Sequence, residues 1–515
     1  MRISSPFFKF FATFFNLSLI FLFSSPFLYA GTLFVPEPLL ERALAKTLRV
    51  DRDSLTSELV AEKLEYFELN NAGIRDLTGL QAARNLKVLV LRDNLIKDLS
   101  PIAELAHLRR LDLSGNKISN LSPLSGLSQK QLRIKILDIQ EKLSSLKNPE
   151  NEGADLILSL SETVEKAKRG PWQLRELSLA NNRLLGLSGI SHLNYLQHLD
   201  VSGNALIDLE GVGTLDSLVT LYAQSNQLGR VESFVDQNRN NVHDPGEPIE
   251  DESGNGKLDT DPLTEIQSLA KLVNLYLYDN MLKSIASLSD LPRLQILLLS
   301  GNQLEEVNNL SEFKQLRRLS LSDNRINSLA GLDSLPNIEH LYLVENRICD
   351  LRPIQSLRTL KELRLQRNQF VSIKSLSAFS EINVLSLSNN FIYELKPLLE
   401  LRKLKRLSLT GNCLELTNPV IAETLNRIRS KGAFVVTGNQ KKRIIEAEQL
   451  VFSMIGHPES NRMLGNYLEK NGYLRLMDFV DEPAIEEGEK INALKTWKNA
   501  LIDGTLKNDQ FFSNE

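Results

Sequence analysis

The sequence predicts an α/β solenoid: an elongated horseshoe with a parallel concave β-sheet, a helical amino-terminal cap, a helical insertion and an α-helical carboxy-terminal tail. Three observations carry that prediction. Leucine makes up roughly a fifth of the 515 residues, about twice its usual share in soluble proteins. An apolar pattern with a 22-residue period starts at thirteen places. An asparagine holds the ninth position in twelve of those units. A surplus of one unbranched apolar residue, beside only 6% aromatic residues, indicates a single packing slot used many times. That favours one array over the three or four globular domains that length alone suggests.

The amino-terminal segment comes first. Residues 1–30 contain Arg2 and Lys9, no acid, and an apolar run from Phe10 to about Tyr29 ending at Ala30-Gly31. This is the layout of a secretory signal, which predicts a secreted or periplasmic protein. Leu28 is larger than the cleavage rule prefers at its position, and the run approaches the ~20 residues that span a bilayer. The alternative is therefore an uncleaved leader that anchors the chain to a membrane. No second run of spanning length follows, so membrane contact is expected only through that leader.

Charge and cysteine content narrow the partners. Lys+Arg is 60 and Asp+Glu is 64, a net of -4; without Arg2 and Lys9 the balance is 58 against 64, or -6. Such mild acidity gives no electrostatic footprint for nucleic acid. Two cysteines exclude a disulfide-built scaffold. Cys349 and Cys413 lie three repeats apart, on the order of 14 Å, and are expected as free thiols.

The repeat is read clearly at Leu86-Lys87-Val88-Leu89-Val90-Leu91-Arg92-Asp93-Asn94, followed by Ile96, Leu99, Ile102 and Leu105, with a restart at Leu108. Leu89 and Leu91 alternate with Val88, Val90 and Arg92, the period-two signature of a short strand with one buried face. Leucines spaced by three then suit a 3₁₀ or loose helical turn that brings the chain back. Each unit leaves an apolar face that only a neighbour can close, so stability becomes a nearest-neighbour sum. The ninth-position amides run from Asn94 to Asn412, and Ala72 takes that place in the first unit. A buried amide there can satisfy turn backbone groups that would be costly to bury unpaired.

These motifs resemble the leucine-rich repeat family, in its 22-residue internalin-type class, over roughly residues 35–438. The resemblance implies an interaction scaffold. The segment Pro36 to Leu44 is similar to the helical amino-terminal cap of bacterial members. Asn418-Pro419 through Phe434-Val435-Val436 is similar to their closing cap, a helix followed by a last strand. The organisation expected is a signal at 1–30, a helical cap at 31–63, the array at 64–438 and a helical tail at 439–515.

Two insertions interrupt the array. Residues 128–173 read as two helices, about 130–147 and 155–168, whose apolar stripe would pack on the array. Residues 235–262 carry the sharper chemistry. Asp236, Asn238, Asn240, Asp244 and Glu247 stand at loop positions 1, 3, 5, 9 and 12 of an EF-hand spacing, with the Val242 carbonyl at position 7. A second loop places Asp251, Ser253, Asn255, Lys257 (through its carbonyl) and Asp259 similarly, with Gly256 at the turn and Pro262 where the bidentate acid would stand. The pair resembles calcium loops inserted in bacterial extracellular proteins, so structural calcium is the expected cofactor. A solvated acidic turn is the plainer reading, because turns use the same residues.

The third, fifth and seventh residues of each unit should point away from the leucine core. Most are small or charged. Mid-array they become Tyr222, Tyr276, Tyr278, Ile296, Leu298, His340, Tyr342 and Arg364. Tyr and Arg are enriched at binding hot spots, which predicts a protein or peptide partner there, its identity unspecified, bound by a monomer. The plainer account is that strands favour tyrosine. No catalytic residue is expected, since no metalloprotease helix, nucleophile elbow or phosphate loop appears. A regulatory subunit of an enzyme such as a phosphatase, which related arrays include, and an activity within the tail are the alternatives.

Overall fold

The computed structural model describes residues 32–125, 173–230, 261–308, 310–440 and 487–502, with isolated positions between them. Among these residues fourteen three-residue strands form one parallel sheet in strict chain order. They are β1 (Tyr66–Glu68), β2 (Val88–Val90), β3 (Arg110–Asp112), β4 (Glu176–Ser178), β5 (His198–Asp200), β6 (Thr220–Tyr222) and β7 (Asn274–Tyr276). The series continues with β8 (Ile296–Leu298), β9 (Arg318–Ser320), β10 (His340–Tyr342), β11 (Glu362–Arg364), β12 (Val384–Ser386), β13 (Arg406–Ser408) and β14 (Phe434–Val436). The middle residue of each of the first thirteen is a buried Leu or Phe67, while β14 carries half-buried Val435. The register is unbroken: Leu111 faces Leu177 across the first insertion, and Leu221 faces Leu275 across the second. Both insertions therefore leave the sheet continuous.

The return path of many units is a 3₁₀ turn, as the leucine spacing predicts. Ser100–Ile102, Arg352–Ile354 and Lys396–Glu400 are examples, and each buries one aliphatic side chain: Ile102, Ile354 and Leu398. Leucines from both limbs form one continuous core along the array, with Phe67, Phe313, Phe370 and Phe379 filling four of the same slots.

Asparagine ladders join the units. Asn116 accepts from Ile96 N–H at 3.0 Å and donates to the carbonyls of Leu91 and Leu113, both at 2.9 Å. One amide thus ties its own turn to the preceding unit. The pattern repeats as far as Asn412, which accepts from Ile392 N–H and donates to Leu387 and Leu409. Ala72 requires no amide of its own, because the first unit has no predecessor; its N–H donates to Asn94 Oδ1 at 3.0 Å. The ladder ends one rung beyond the array limit expected at 438. Gln440 occupies the ninth position of the closing unit, accepts from Leu414 N–H and donates to the carbonyls of Leu409 and Thr437, both at 3.0 Å.

The residue before each rung has a left-handed backbone. Asn71, Asp93, Asn181, Asp279, Asp323, Asn389 and Asn439 share it with Ser225, Glu345 and Arg367. Asn and Asp visit this region most readily among side-chain-bearing residues. Gly411 takes the same position at φ 70°, where a β-carbon would collide with Asn389 Oδ1. Gly411→Ala is expected to cost about 1–2 kcal/mol from the left-handed backbone alone, with the displaced Asn389 side chain adding to it. Urea unfolding measures this, and a change below about 0.5 kcal/mol would show that the turn relaxes freely.

Helices close both ends. Helix α1 (Pro38–Leu48) begins with proline in its first turn, and α2 (Ser57–Lys63) is capped by Thr56, whose hydroxyl accepts Leu59 N–H. Leu40, Leu44 and Val60 extend the core under the first strand. At the other end Asn418 caps α3 (Pro419–Ser430), which buries Ile421, Leu425 and Ile428 before β14. A fourth helix, α4 (Glu487–Ile502), buries Leu494 and Trp497. Gly488 lies inside its first turn, where a glycine interrupts little. Within the first insertion Asp138, Ile139, Glu141 and Lys142 are helical, with Lys142 Nζ 2.8 Å from Asp138 Oδ2. The remainder of that insertion, the leader, and tail residues 441–486 and 503–515 lie outside the described residues. No helix among the described residues is long and apolar enough to cross a membrane.

Candidate functional site

The sheet sets its side chains in rows, because each strand meets the next without slippage. One row runs Tyr222, Tyr276, Leu298, Ser320, Tyr342, Arg364; beside it runs Thr220, Asn274, Ile296, Arg318, His340, Glu362. Both rows lie on one face of the sheet. Tyr222, Tyr276, Tyr278, Leu298, His340 and Tyr342 are partly exposed on it, and Arg364 is exposed.

Those residues separate into two clusters. In the first, Tyr222 and Tyr276 stack with ring centroids 4.5 Å apart and planes 21° from parallel, an arrangement worth about 0.5–1.5 kcal/mol beyond its burial. Burial and the adjoining Tyr222 hold the Tyr276 phenol above its ordinary range. The second cluster centres on Glu362. Its Oε2 lies 3.1 Å from His340 Nδ1 and accepts the Tyr342 hydroxyl at 3.1 Å, while its Oε1 accepts Arg364 Nε at 2.7 Å. The Arg364 guanidinium also lies 4.9 Å from the centre of the Tyr342 ring. Ile296, Leu298, Arg318 and Ser320 join the two clusters.

Burial disfavours the Glu362 charge, but the hydrogen bonds from Arg364, His340 and Tyr342 outweigh it and hold the carboxyl below its ordinary value. A depressed carboxyl stabilises the fold fully above its unfolded-state pKa and loses that contribution as pH falls through the folded value. The stability difference between the wild type and Glu362→Gln is thus expected to be constant near neutrality and to shrink in the acid range below the usual carboxylate value. Denaturation at a series of pH values checks this; a difference that widens on acidification would contradict it.

Sequence inspection for aromatic and arginine hot spots passed over Glu362 and Arg318. The signal was present, since both occupy the third position that also placed Ile296 and His340. Neighbouring charges are mostly committed to one another. At the strand edge Glu339 lies 2.7 Å from Lys361 and 3.6 Å from Arg317, and Arg92 lies 2.6 Å from Asp112 nearer the start of the array.

Other chemistry is sparse. Cys413 is buried and Cys349 half-buried, and neither is in a disulfide. Burial, reinforced by Asp350, pushes the Cys349 thiol up to about 12, so it stays protonated at neutral pH. No group of His, Cys, Asp and Glu among the described residues is placed to hold a metal. The predicted calcium ligands Asp236, Asn238, Asn240, Val242, Asp244, Glu247, Asp251, Ser253, Asn255, Lys257 and Asp259 lie outside the described residues.

Comparison with known proteins bears on this architecture. A model described as two copies of leucine-rich repeats matches residues 84–126 and 314–358, and a second leucine-rich repeat model matches 192–215. An internalin from Listeria monocytogenes superposes with a TM-score of 0.59 at 20% identity, covering 80% of this chain and 98% of its own. The fold is the leucine-rich repeat solenoid. A leucine-rich repeat protein from Leptospira interrogans matches at 22% identity with a TM-score of 0.49, over 74% of this chain and 86% of its own. No curated protein matches the sequence. At these identities the likeness to solved leucine-rich repeat structures is one of fold.

Proposed function

We propose that this chain is an exported recognition protein that binds a protein or peptide on its concave face, acting by surface contact rather than catalysis. The observation that carries the reading is the mid-array band, where stacked tyrosines, Leu298 and the Glu362-centred cluster stand partly exposed on one rigid sheet. Aromatic and arginine side chains dominate binding energy where they can be desolvated. The asparagine ladder fixes their backbone in advance, which lowers the ordering cost of association. Export rests on the leader in the sequence.

The test is retention of a partner from extracellular material by the wild type and by a Tyr276→Asp, Tyr342→Asp double variant. A protein held by the first and lost by the second supports the reading. Equal retention overturns it.

Structural calcium in the second insertion belongs to the same proposal. Two observations support it: the spacing of oxygen side chains, and a 2.8 Å bond from Val235 N–H to the Pro248 carbonyl, the residues that precede and follow 236–247. Loops of this class hold calcium at about 10⁻⁴–10⁻³ M. At about 10 mM calcium, binding to the native state then contributes about 1.4–2.7 kcal/mol. The melting temperature is expected to rise with calcium and fall with a chelator. An unchanged melting curve together with no heat on calorimetric titration would rule the ion out.

A further inference from the structure

Resting on the recognition reading above, we propose that the concave face selects an acidic peptide segment, with one carboxylate received by Arg318 and an adjacent apolar side chain by Leu298 and Tyr276. Three features of the face lead there.

The first is a cation left uncommitted. Arg318 is exposed and makes no ion pair or side-chain hydrogen bond among the described residues, whereas Arg364 on the same face is held by Glu362 at 2.7 Å. It stands centrally: its strand β9 pairs with β8 and β10, so Ile296 and His340 flank it in the row. Its charge reaches both Tyr276 and Tyr342.

The second is relief. In the neighbouring row Ser320 lies between Leu298 and Tyr342 and is itself buried, so the surface dips there by most of a side chain. Its floor is hydroxylic, with Ser300 Oγ and Ser320 Oγ 2.6 Å apart. A carboxylate entering this notch meets a guanidinium at its side and a hydroxyl beneath. An apolar neighbour in the ligand meets Leu298, Ile296 and the Tyr276 ring. Acid and apolar groups side by side are what a peptide supplies.

The third is polarity along the horseshoe. On the strands up to β5 and the residues just after them, Glu68, Asp112, Glu176 and Asp200 outnumber Arg92 and Arg110. From β9 to β13, Arg318, Arg364 and Arg406 outnumber Glu362. An acidic ligand is thus repelled from the first half and attracted to the second, which favours a site in the second half. Two excess charges spread over five strands do not form the dense basic stripe that a polysulfated chain engages.

A phage-displayed library of random dodecapeptides, panned against the full chain, tests the proposal, with selected peptides synthesised and their binding followed by fluorescence polarisation. Sequences carrying Asp or Glu beside an aromatic or aliphatic residue are expected. Arg318→Glu should weaken them about tenfold or more, as should raised salt, and Arg318→Gln should weaken them less. Peptides enriched without acid, or acidic ones bound equally by Arg318→Glu, overturn the assignment. If those peptides still lose affinity on Tyr276→Asp, the recognition reading stands without it. Peptides indifferent to both Arg318 and Tyr276 overturn both, whereas selection of no peptide overturns this assignment and leaves the recognition reading to the retention test above. Retention on heparin that depends on Arg318, with no peptide selected, assigns the guanidinium to a sulfated glycan and overturns the peptide assignment. Because Arg318 is exposed, circular dichroism of both variants is expected to match the wild type.

Discussion

Asn368→Ala is expected to destabilise the chain by about 3–5 kcal/mol, among the largest losses available from a single side chain in the array. The amide is fully buried. Its Oδ1 is the acceptor for Ile348 N–H at 3.0 Å, and its Nδ2 donates to the carbonyls of Leu343, Leu365 and Gln366 at 2.7, 3.2 and 3.3 Å. Alanine leaves the Ile348 N–H buried without an acceptor, at about 1–3 kcal/mol. The carbonyl of Leu343 keeps only a 3.4 Å contact from Asn346, while that of Leu365 retains Asn390 at 2.9 Å. The remaining loss comes from those weakened bonds and from the volume of the missing amide. Urea denaturation followed by circular dichroism measures the effect, with Ser386→Ala on the open face expected to stay within about 0.5 kcal/mol. A loss below about 1 kcal/mol at Asn368 would show that the ladder is not what joins the units.

The second large effect is on binding. Tyr276→Asp and Tyr342→Asp are each expected to lower partner affinity by about thirtyfold or more, near 2 kcal/mol, with the fold unchanged. The first substitution removes one half of the Tyr222 stack and places an anion beside Leu298. The second removes the ring that Arg364 covers and sets a carboxylate against Glu362. Calorimetry with the captured partner supplies the measurement. Tyr195 is 52% exposed and stands outside the strands, so Tyr195→Asp should leave affinity intact. Equal losses at all three positions would mean that the substitutions act through general charge rather than through the face.

Much of the fold was legible because a repeat writes one physical rule many times. Leu89, Leu111 and Leu177 share a slot, so period and burial confirm each other, and the ninth-position asparagines announced a buried turn before its geometry was visible. The closing rung was harder to see. Gln440 replaces asparagine in the same role, one methylene longer, and a search for one residue type passes over a functional equivalent. The left-handed row was hidden for the same reason, since Asp93, Glu345, Arg367 and Gly411 share a backbone conformation and not a chemistry. On the concave face, tyrosines were conspicuous by type, whereas Glu362 gains its importance from three neighbours that come together only across strands. Arg318 is conspicuous for the opposite reason: the structure commits the other mid-array guanidinium and leaves this one open.

Recognition through the mid-array concave face is tested most directly by placing a photo-crosslinking phenylalanine analogue at Leu298 and, separately, at Tyr195. The two sites differ in face and not in the array that carries them. Crosslinks to the partner from position 298 and none from 195 are the expected result. Crosslinks from 195 with none from 298 would contradict the account.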